Sequence, residues 1–295
     1  MIQFKKIELN FERKGFYVLL APLFLFIAFY VFLKKKITPK PKFNFYFFDG
    51  VSKLCREVKE SASRWRALDL TYNNYTENNT SFGDLVYNFF WHSLKNAKAL
   101  RNRLKLIRFL LLKNIEEISK NNKEIRLISI ASGSAQGVIE AVAEAKQKGI
   151  LAKVILIDLD PTALEHSQKL AQAMGVKDQI TFINKPANFI NEIGRQFKPN
   201  LIEIVGFLEY RPDEKAIKLI QSIYQILERE GTFLVSQISP NLESFFLKEV
   251  INWLMIYRKP KELAKILSLS GFSLEKCPFY LEPLKIHYIA ECKKL

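Results

Sequence analysis

Apolar and polar residues alternate in blocks along the second half of the chain. Short apolar runs, typical of buried parallel strands, cover residues 127–130, 154–157, 179–184, 201–205, 232–237, 272–279 and 287–293. Segments with apolar residues at helical spacing cover residues 138–148, 161–174, 188–197, 213–229 and 259–270. A short proline-containing loop, and no helix, separates the last two strands. The pattern predicts an α/β fold with a Rossmann-like, seven-stranded, mostly parallel sheet, helices on both faces and an antiparallel last strand.

The first strand–helix–strand unit has the features of a ligand-binding turn. Its first strand leads into a small-residue turn at 131–137, and its second strand ends on Asp158. Small residues let a ligand approach the backbone, the helix start offers unpaired N–H groups, and an acid at this position can accept both ribose hydroxyls. Dinucleotides and S-adenosylmethionine (SAM) both use this arrangement. The three glycine positions of the dinucleotide pattern G-x-G-x-x-G are occupied here by Ala131, Gly133 and Gln136, and this departure disfavours a dinucleotide. An ordinary crossover with small packing residues stays an alternative.

An uncharged apolar segment lies near the N-terminus, at about residues 16–33. A helix of this length spans roughly 27 Å, close to the thickness of a bilayer core. Basic residues follow at once at Lys34–Lys36, whereas a secretory signal would have a shorter apolar region and a small-residue cleavage site. The segment therefore predicts a single-pass membrane anchor, followed by a basic linker to residue 42. The distribution of basic residues slightly favours a cytoplasmic location for the rest of the chain.

Residues 43–118 have no strand pattern and are predicted to form a helical cap. Helices are expected over 51–68 and about 94–112, the second from apolar residues at helical spacing. This second helix carries Arg101 and Arg103, which we consider as contacts to an anionic group of a cofactor or substrate. A solvated basic face is the alternative for both residues.

The composition is that of a folded protein with a strong positive charge. The chain has 295 residues and a formal net charge of +15, which favours contact with membrane lipid, nucleic acid or acidic small molecules. A lysine-rich solvated surface is the simpler explanation for much of this excess. Cys55, Cys277 and Cys292 have neither metal-ligand nor disulfide-framework spacing, so no metal site is predicted and a reducing compartment is expected.

From about Lys123 to Leu295, the sequence resembles the class I SAM-dependent methyltransferases. That family has a D/E-x-G-x-G-x-G turn after the first strand, and residues 129–135 fill its places. Gly133 matches, Ser129 replaces the acid, and Ala131 and Ala135 replace glycines. The antiparallel last strand is also typical of this family, whereas a dinucleotide-binding fold would continue with another parallel unit. The resemblance implies S-adenosylmethionine as the cofactor.

The resemblance also implies where cofactor and substrate bind. Asp158 would hold the ribose hydroxyls, and Leu159 would lie against the adenine. The full set of implied cofactor-binding residues is Ala131, Ser132, Gly133, Gly137, Asp158, Leu159, Ala187 and Gly206. The substrate-binding candidates are Arg101, Arg103, Trp253, Tyr257 and Arg258. For the last three of these, packing of an amphipathic cap helix is the alternative.

The loop after the fourth strand contains the two catalytic candidates, Glu209 and Tyr210. It lies at the carboxyl edge of the predicted sheet, where ligands of such sheets bind. A carboxylate acceptor would need no general base, whereas a hydroxyl or amine acceptor would benefit from one, and Glu209 is suited to that role. A helix-start acid just ahead of Pro212 is the alternative for Glu209.

A narrower resemblance, carried by residues 101–104, 158–161, 206–210 and 253–258, is to bacterial carboxyl O-methyltransferases that act on 3-hydroxy fatty acids. It implies a membrane-anchored methyltransferase for a small or lipidic acceptor, a fatty-acid carboxylate being one candidate. The alternatives are a non-catalytic scaffold that keeps the fold, a nucleic-acid methyltransferase, disfavoured because no RNA-binding module is recognisable, and a nicotinamide-dependent oxidoreductase. No oligomeric state is predicted. The predicted domains are an anchor with its linker (1–42), a helical cap (43–118) and a SAM-binding domain (119–295).

Overall fold

The computed structural model describes residues 2–13, 21–73, 82–121 and 124–295. The chain divides into two compact units. The first comprises Met1–Asn10, Arg103–Ser239 and Ile256–Leu295, and the second comprises Phe11–Asn102 and Pro240–Met255. This division differs from the boundaries predicted at residues 42 and 118. One long helix contributes to both units, and the late segment Pro240–Met255 belongs to the second unit.

The first unit is built on a sheet that has eight strands within the described residues. In chain order they are β1 (Phe4–Lys5), β2 (Ile125–Ile130), β3 (Ala152–Asp158), β4 (Ile180–Asn184), β5 (Leu201–Ile204), β6 (Thr232–Ile238), β7 (Phe279–Leu281) and β8 (His287–Lys293). Their order across the sheet is β1-β7-β8-β6-β5-β2-β3-β4. Neighbours from β6 to β4 are parallel, whereas β8 is antiparallel to both β6 and β7. The predicted mostly parallel α/β sheet with an antiparallel last strand is confirmed; β1, parallel to β7 at the edge, was not predicted.

Helices of the first unit follow the strands as predicted, with shifted ends. They are the second part of α5 (Lys95–Lys120), then α6 (Gln136–Gln147), α7 (Pro161–Ala173), α8 (Ile190–Phe197), α9 (Asp213–Ile226) and α11 (Pro260–Leu269). The start of α7 shows how local sequence sets these ends. The Asp160 side chain accepts a hydrogen bond from the Thr162 N–H, and Pro161 occupies the first helical position, where its missing N–H costs nothing.

The strand predicted over residues 272–279 is wrong for all but its last residue. Phe272 is buried and packs against Tyr224 and Phe233, with ring centroids 4.9 and 5.6 Å apart. A 3₁₀ turn at Leu274–Lys276 then leads to β7. The apolar residues of this segment therefore fill the core from a loop, and an apolar run alone does not distinguish the two cases.

The second unit is helical. Its described helices are α1 (Ala21–Ile37), α2 (Lys53–Glu60), α3 (Trp65–Tyr72), α4 (Phe82–Ser93), the first part of α5, and α10 (Ser244–Glu249). The helix predicted over 51–68 is interrupted between α2 and α3, where Ser63 has a φ of 69°. An aromatic cluster forms the interior. The ring centroid of Phe24 lies 5.2 Å from that of Phe90 and 5.4 Å from that of Phe246. The ring of Phe48 contacts the rings of Phe90 and Phe246.

The predicted membrane anchor overlaps α1 only in part. Residues 14–20, which include the start of the predicted span, lie outside the described residues. In the part of the chain that the structure describes, no helix combines the length and the apolar character needed to cross a bilayer.

Two of the three cysteines contradict the sequence interpretation. Cys277 and Cys292 form a disulfide across 15 residues of sequence, whereas Cys55 is a buried free thiol. The pairing arises because Cys292 lies in β8 and Cys277 lies just before β7, the strand that pairs with β8. Spacing along the sequence did not reveal this proximity.

Candidate active site

The turn after β2 has the backbone shape of a glycine-rich turn although it contains alanines. Ala131, Gly133 and Ala135 have φ values of 52°, 54° and 49°, all in the left-handed region. The Ser132 N–H donates to the Ile157 carbonyl at 3.0 Å and joins the turn to β3. The left-handed conformation costs an L-residue roughly 1–2 kcal/mol, so both alanines are held there by their surroundings. The turn therefore has the left-handed backbone that glycine favours, although two of these positions hold alanine.

Asp158, at the carboxyl end of β3, is fixed against this turn. One carboxylate oxygen, Oδ2, accepts a hydrogen bond from the Gly133 N–H at 2.8 Å, and Oδ1 accepts one from the Asp160 N–H at 2.8 Å. Burial raises the pKa of Asp158, and these backbone hydrogen bonds act in the opposite direction. A carboxylate has about four lone-pair sites, so acceptor capacity remains at Asp158 for a further donor. The next residue, Leu159, is 69% exposed.

A buried guanidinium lies against the loop that follows β5. Arg103, in α5, is 2% exposed, and its Nη1 is 3.7 Å from Oε1 of Glu209, which is also 2% exposed. Gly206 makes this approach possible. A Cβ atom there would lie 3.2 Å from both terminal nitrogens of Arg103, and the residue has a φ of 77°. Glycine is thus required at 206 both for its conformation and for the close approach of Arg103.

A second buried carboxylate, Glu203, lies where the sequence pattern lacked an acid. Glu203 in β5 is the register partner of Ser129 in β2, and the Ser129 hydroxyl donates a hydrogen bond to its Oε1. Its Oε2 has no hydrogen-bond partner among the described residues. Burial raises the pKa of Glu203 to about 7, against the opposing effects of Ser129 and Arg103. The sequence signal was a single carboxylate inside the otherwise apolar strand Leu201–Ile204.

Glu209 and His287 complete the buried cluster. Burial raises the pKa of Glu209, and the nearby Arg103 opposes that shift. Burial and Arg103 together hold the pKa of His287 well below its usual value, so its ring is neutral. Neither oxygen of Glu209 and neither ring nitrogen of His287 has a hydrogen-bond partner in the described part of the chain. Each such buried group costs about 1–3 kcal/mol, so the cluster is suited to a polar ligand that supplies partners.

Arg258, through its guanidinium, forms hydrogen bonds with the loop that contains Glu209. Its guanidinium donates to the carbonyl oxygens of Leu208 and Arg211 at 2.9 and 2.5 Å and pairs with Asp213 at 2.7 Å. These contacts hold the 3₁₀ turn Leu208–Tyr210 in place. The observed role of Arg258 is thus to position the loop, and the substrate contact suggested by the sequence stays a prediction.

The remaining predicted site residues are not all brought together. Arg101 belongs to the second unit, where its guanidinium donates to both oxygens of Glu12 at 2.6 and 2.8 Å and to the His92 carbonyl at 2.7 Å. Trp253 is buried in the same unit. Tyr257 is half-buried in the first unit. The substrate roles suggested for these residues stay predictions.

Three further residues predicted at the site have different surroundings. Gly137 is buried within α6, where a Cβ would meet Ile107 of α5 at 3.0 Å, so its small size serves helix packing. Ala187 begins a 3₁₀ turn after β4, and Tyr210 ends the turn that contains Glu209. Their predicted contacts with cofactor or substrate are not tested by this geometry.

Solved structures with the same fold include methyltransferases. The chain superposes with a TM-score of 0.65 on a possible exported protein of Bordetella parapertussis, at 14% identity over 93% of this chain and 95% of that one. Magnesium protoporphyrin IX methyltransferase of Synechocystis PCC 6803, solved with bound SAH, gives 0.52 at 16% identity over 79% and 93%. An O-methyltransferase family protein of Burkholderia thailandensis gives 0.51 at 11% identity over 82% and 71%. At these identities the likeness shows the fold alone.

Comparison of the sequence itself is more informative. No curated protein matches it. A family model described as "Putative methyltransferase" matches residues 56–290, which is most of the chain. The match spans the turn after β2, Asp158 and the buried cluster around Arg103. The chain therefore belongs to this methyltransferase family.

Proposed function

We propose that this protein is a SAM-dependent methyltransferase that acts on a small or lipidic acceptor, with a fatty-acid carboxylate as the first candidate. The buried cluster of Arg103, Glu203 and Glu209 carries the proposal, because it places a buried cation beside two carboxylates with oxygens that lack hydrogen-bond partners among the described residues, at the carboxyl edge of the sheet of a methyltransferase-family chain. Relatives of the same fold solved with SAM and with SAH support this choice of cofactor.

The groups around the turn fit the polar parts of SAM. Asp158 has lone pairs for the two ribose hydroxyls, and the exposed Leu159 offers an apolar surface for the adenine. Arg103 would bind the carboxylate of the methionyl part of SAM, and Glu203 would accept hydrogen bonds from the ammonium group of the same part. When bound, SAM supplies an electrophilic methyl group on a sulfonium, which passes to the acceptor and leaves SAH.

The pairing of Glu203 with an ammonium group predicts a pH-dependent affinity. Glu203 has a pKa of about 7 without ligand, and an ammonium favours its ionised form. SAM affinity should therefore rise with pH, by up to roughly tenfold per unit below this pKa, with proton release on binding. Isothermal titration at several pH values, in buffers of different ionisation enthalpy, measures both effects.

Two variants separate Glu203 from other titrating groups. Glu203→Gln should give a weaker affinity that no longer changes with pH in this range. Ser129→Ala removes a hydrogen bond that lowers the pKa of Glu203, so it should shift the pH dependence to higher pH without abolishing it. An unchanged pH profile in Glu203→Gln would show that Glu203 does not bind the ammonium.

The acceptor is proposed from the chemistry of the loop after β5. A carboxylate acceptor is already ionised at neutral pH, so the chain needs only to position it and to exclude water. For a hydroxyl acceptor, the raised pKa of Glu209 would make it a better general base than an ordinary carboxylate. The motif similarity to fatty-acid carboxyl methyltransferases favours the first case.

We also propose that the N-terminal segment holds the protein at a membrane, with the first unit on the cytoplasmic side. The uncharged stretch at about residues 16–33 and the lysines that follow support this placement. An amphiphilic acceptor would be concentrated at such a surface, which makes a lipidic substrate consistent with the location.

Methyl transfer is tested with SAM that carries a labelled methyl group, incubated with the full chain and a series of fatty acids and 3-hydroxy fatty acids. Carboxyl methylation gives an ester that releases labelled methanol in base, whereas an ether or a methylamine does not. The expected result is a base-labile product that Arg103→Met abolishes. Base-stable label would identify a hydroxyl or amine acceptor, and Glu209→Gln should then reduce the rate strongly. If protein that binds SAM transfers no label to any acceptor class, methyl transfer to these acceptors would be contradicted.

A further inference from the structure

Helix α1 has no charged residue on any side along most of its length. From Ala21 to Leu33 the sequence contains only apolar residues and a tyrosine, and charges begin at Lys34. One side of the helix is part of the second unit. Phe24, Ala28 and Val31 are at most 3% exposed and lie on one helical stripe. This side supplies the interior contacts to Phe90 and Phe246.

The opposite side of α1 is apolar and exposed. We call it the outer face of α1 and define it by Leu25, Phe26, Phe29, Tyr30 and Leu33, whose exposures run from 44% to 71%. A surface helix of a soluble protein has polar or charged residues on the side away from its core. Large contiguous exposed apolar patches mark contacts with another molecule or a membrane.

Neighbouring residues of the same unit extend this patch. Phe45 contacts Tyr30, with ring centroids 6.2 Å apart, and also contacts Phe47 at 5.8 Å. Phe47 is 62% exposed and Tyr46 is 56% exposed. The apolar surface therefore continues from the outer face onto the segment that follows α1, which makes it larger than one helix side.

Basic residues border the patch, and acidic residues are missing from this part of the sequence. Lys34, Lys36, Lys40 and Lys42 follow the apolar stretch, and no Asp or Glu occurs between Glu12 and Asp49. The ammonium groups of Lys36 and Lys42 lie 4.8 and 5.4 Å from the ring centroids of Phe32 and Phe43. Lysines beside aromatic and aliphatic residues are typical of helices that lie in a membrane interface, where the charges meet anionic headgroups.

We propose that the outer face of α1 lies flat on an anionic lipid bilayer. The apolar side chains would enter the boundary between headgroups and acyl chains, and the bordering lysines would remain at the level of the phosphates. The helix would lie in the membrane plane because its other side is occupied by the interior of the second unit. A second copy of the chain is a poorer occupant, since a symmetric contact would bring two lysine-rich borders together. This inference deepens the membrane part of the proposed function, on which it rests.

The test is sedimentation of the full chain with vesicles in the absence of SAM, so its outcome is independent of methyl transfer. Phosphatidylcholine vesicles with and without phosphatidylserine are compared. We expect binding to the anionic vesicles, reduced by high salt, and a Phe26→Ser/Phe29→Ser variant should bind roughly 100-fold more weakly because two aromatic rings no longer enter the lipid. A matched control is Leu151→Ser/Leu269→Ser, two exposed leucines of the first unit, which should bind normally.

Two further measurements decide between occupants. Protein lying on the surface should be released from vesicles by alkaline carbonate, and retention there would show a segment that crosses the bilayer. Light scattering during gel filtration gives the oligomeric state, and a dimer that Phe26→Ser/Phe29→Ser dissociates would show that a second copy covers the face. Vesicle binding unaffected by the double substitution would also overturn the proposal. Circular dichroism and thermal melting of each variant establish that it is folded.

Discussion

Replacing Arg103 by methionine is expected to lower the free energy of unfolding at pH 7 by about 3–5 kcal/mol, because it leaves buried carboxylates without their cation. Arg103 is 3.7 Å from Glu209 and opposes the burial-induced rise in the pKa of both Glu203 and Glu209. Methionine keeps much of the side-chain volume, so loss of charge dominates the effect. Denaturant unfolding monitored by circular dichroism measures the change.

Controls for this prediction lie in the same helix and the same cluster. Arg108 of α5 is 46% exposed and pairs with Glu140 and Glu144 at the surface, so Arg108→Met should cost no more than about 1 kcal/mol. Adding Glu209→Gln to Arg103→Met removes one of the stranded carboxylates and should recover part of the loss. Equal effects of Arg103→Met and Arg108→Met would contradict the buried charge cluster.

Replacing Asp158 by alanine is expected to weaken SAM binding by at least about 100-fold. Each hydrogen bond from a ribose hydroxyl to a carboxylate contributes roughly 1.5–3 kcal/mol, and the variant loses two of them. It also loses the hydrogen bond that holds the Gly133 N–H, so the turn itself becomes less well fixed. Isothermal titration with SAM, and with SAH as product, measures the affinity.

Asp160 supplies the matched control, since it is an acid two residues further on. Its side chain caps α7 through the Thr162 N–H, so Asp160→Ala should reduce stability by about 1 kcal/mol and leave the affinity nearly unchanged. If Asp158→Ala bound SAM as tightly as the unaltered chain, the placement of the ribose at this turn would be wrong.

Those parts of the site that depend on local sequence could be predicted. The apolar strands, the small-residue turn and the acid that ends β3 follow from periodicity and position, and the structure brings Gly133 and Asp158 together as expected. Arg103 was a candidate on the basis of its charge and of motif similarity, although neither indicated that it is buried.

The parts that depend on packing between distant segments could not be predicted. Ser129 and Glu203 meet only through the register of β2 and β5, so the serine was interpreted as a missing acid. Arg258 suggested a substrate contact, and the sequence did not indicate that it is buried with hydrogen bonds to the carbonyl oxygens of Leu208 and Arg211. The left-handed conformation of Ala131 is likewise set by its surroundings and not by residue type.

These findings also bear on the scaffold alternative. Its support was the loss of glycines and of the acid from the turn after β2. The alanines nevertheless keep the left-handed backbone, and a buried carboxylate lies beside Ser129. The features that suggested a degenerate site are therefore compensated in the fold, which favours an active enzyme.

A calorimetric titration of the full chain with SAM, with NADH as the comparison ligand, tests whether the turn after β2 and Asp158 form a SAM site. We expect saturable SAM binding in the micromolar range that Asp158→Ala weakens by at least about 100-fold, and no binding of NADH. Folded protein that binds no SAM, or that binds NADH in its place, would contradict the assignment of this site.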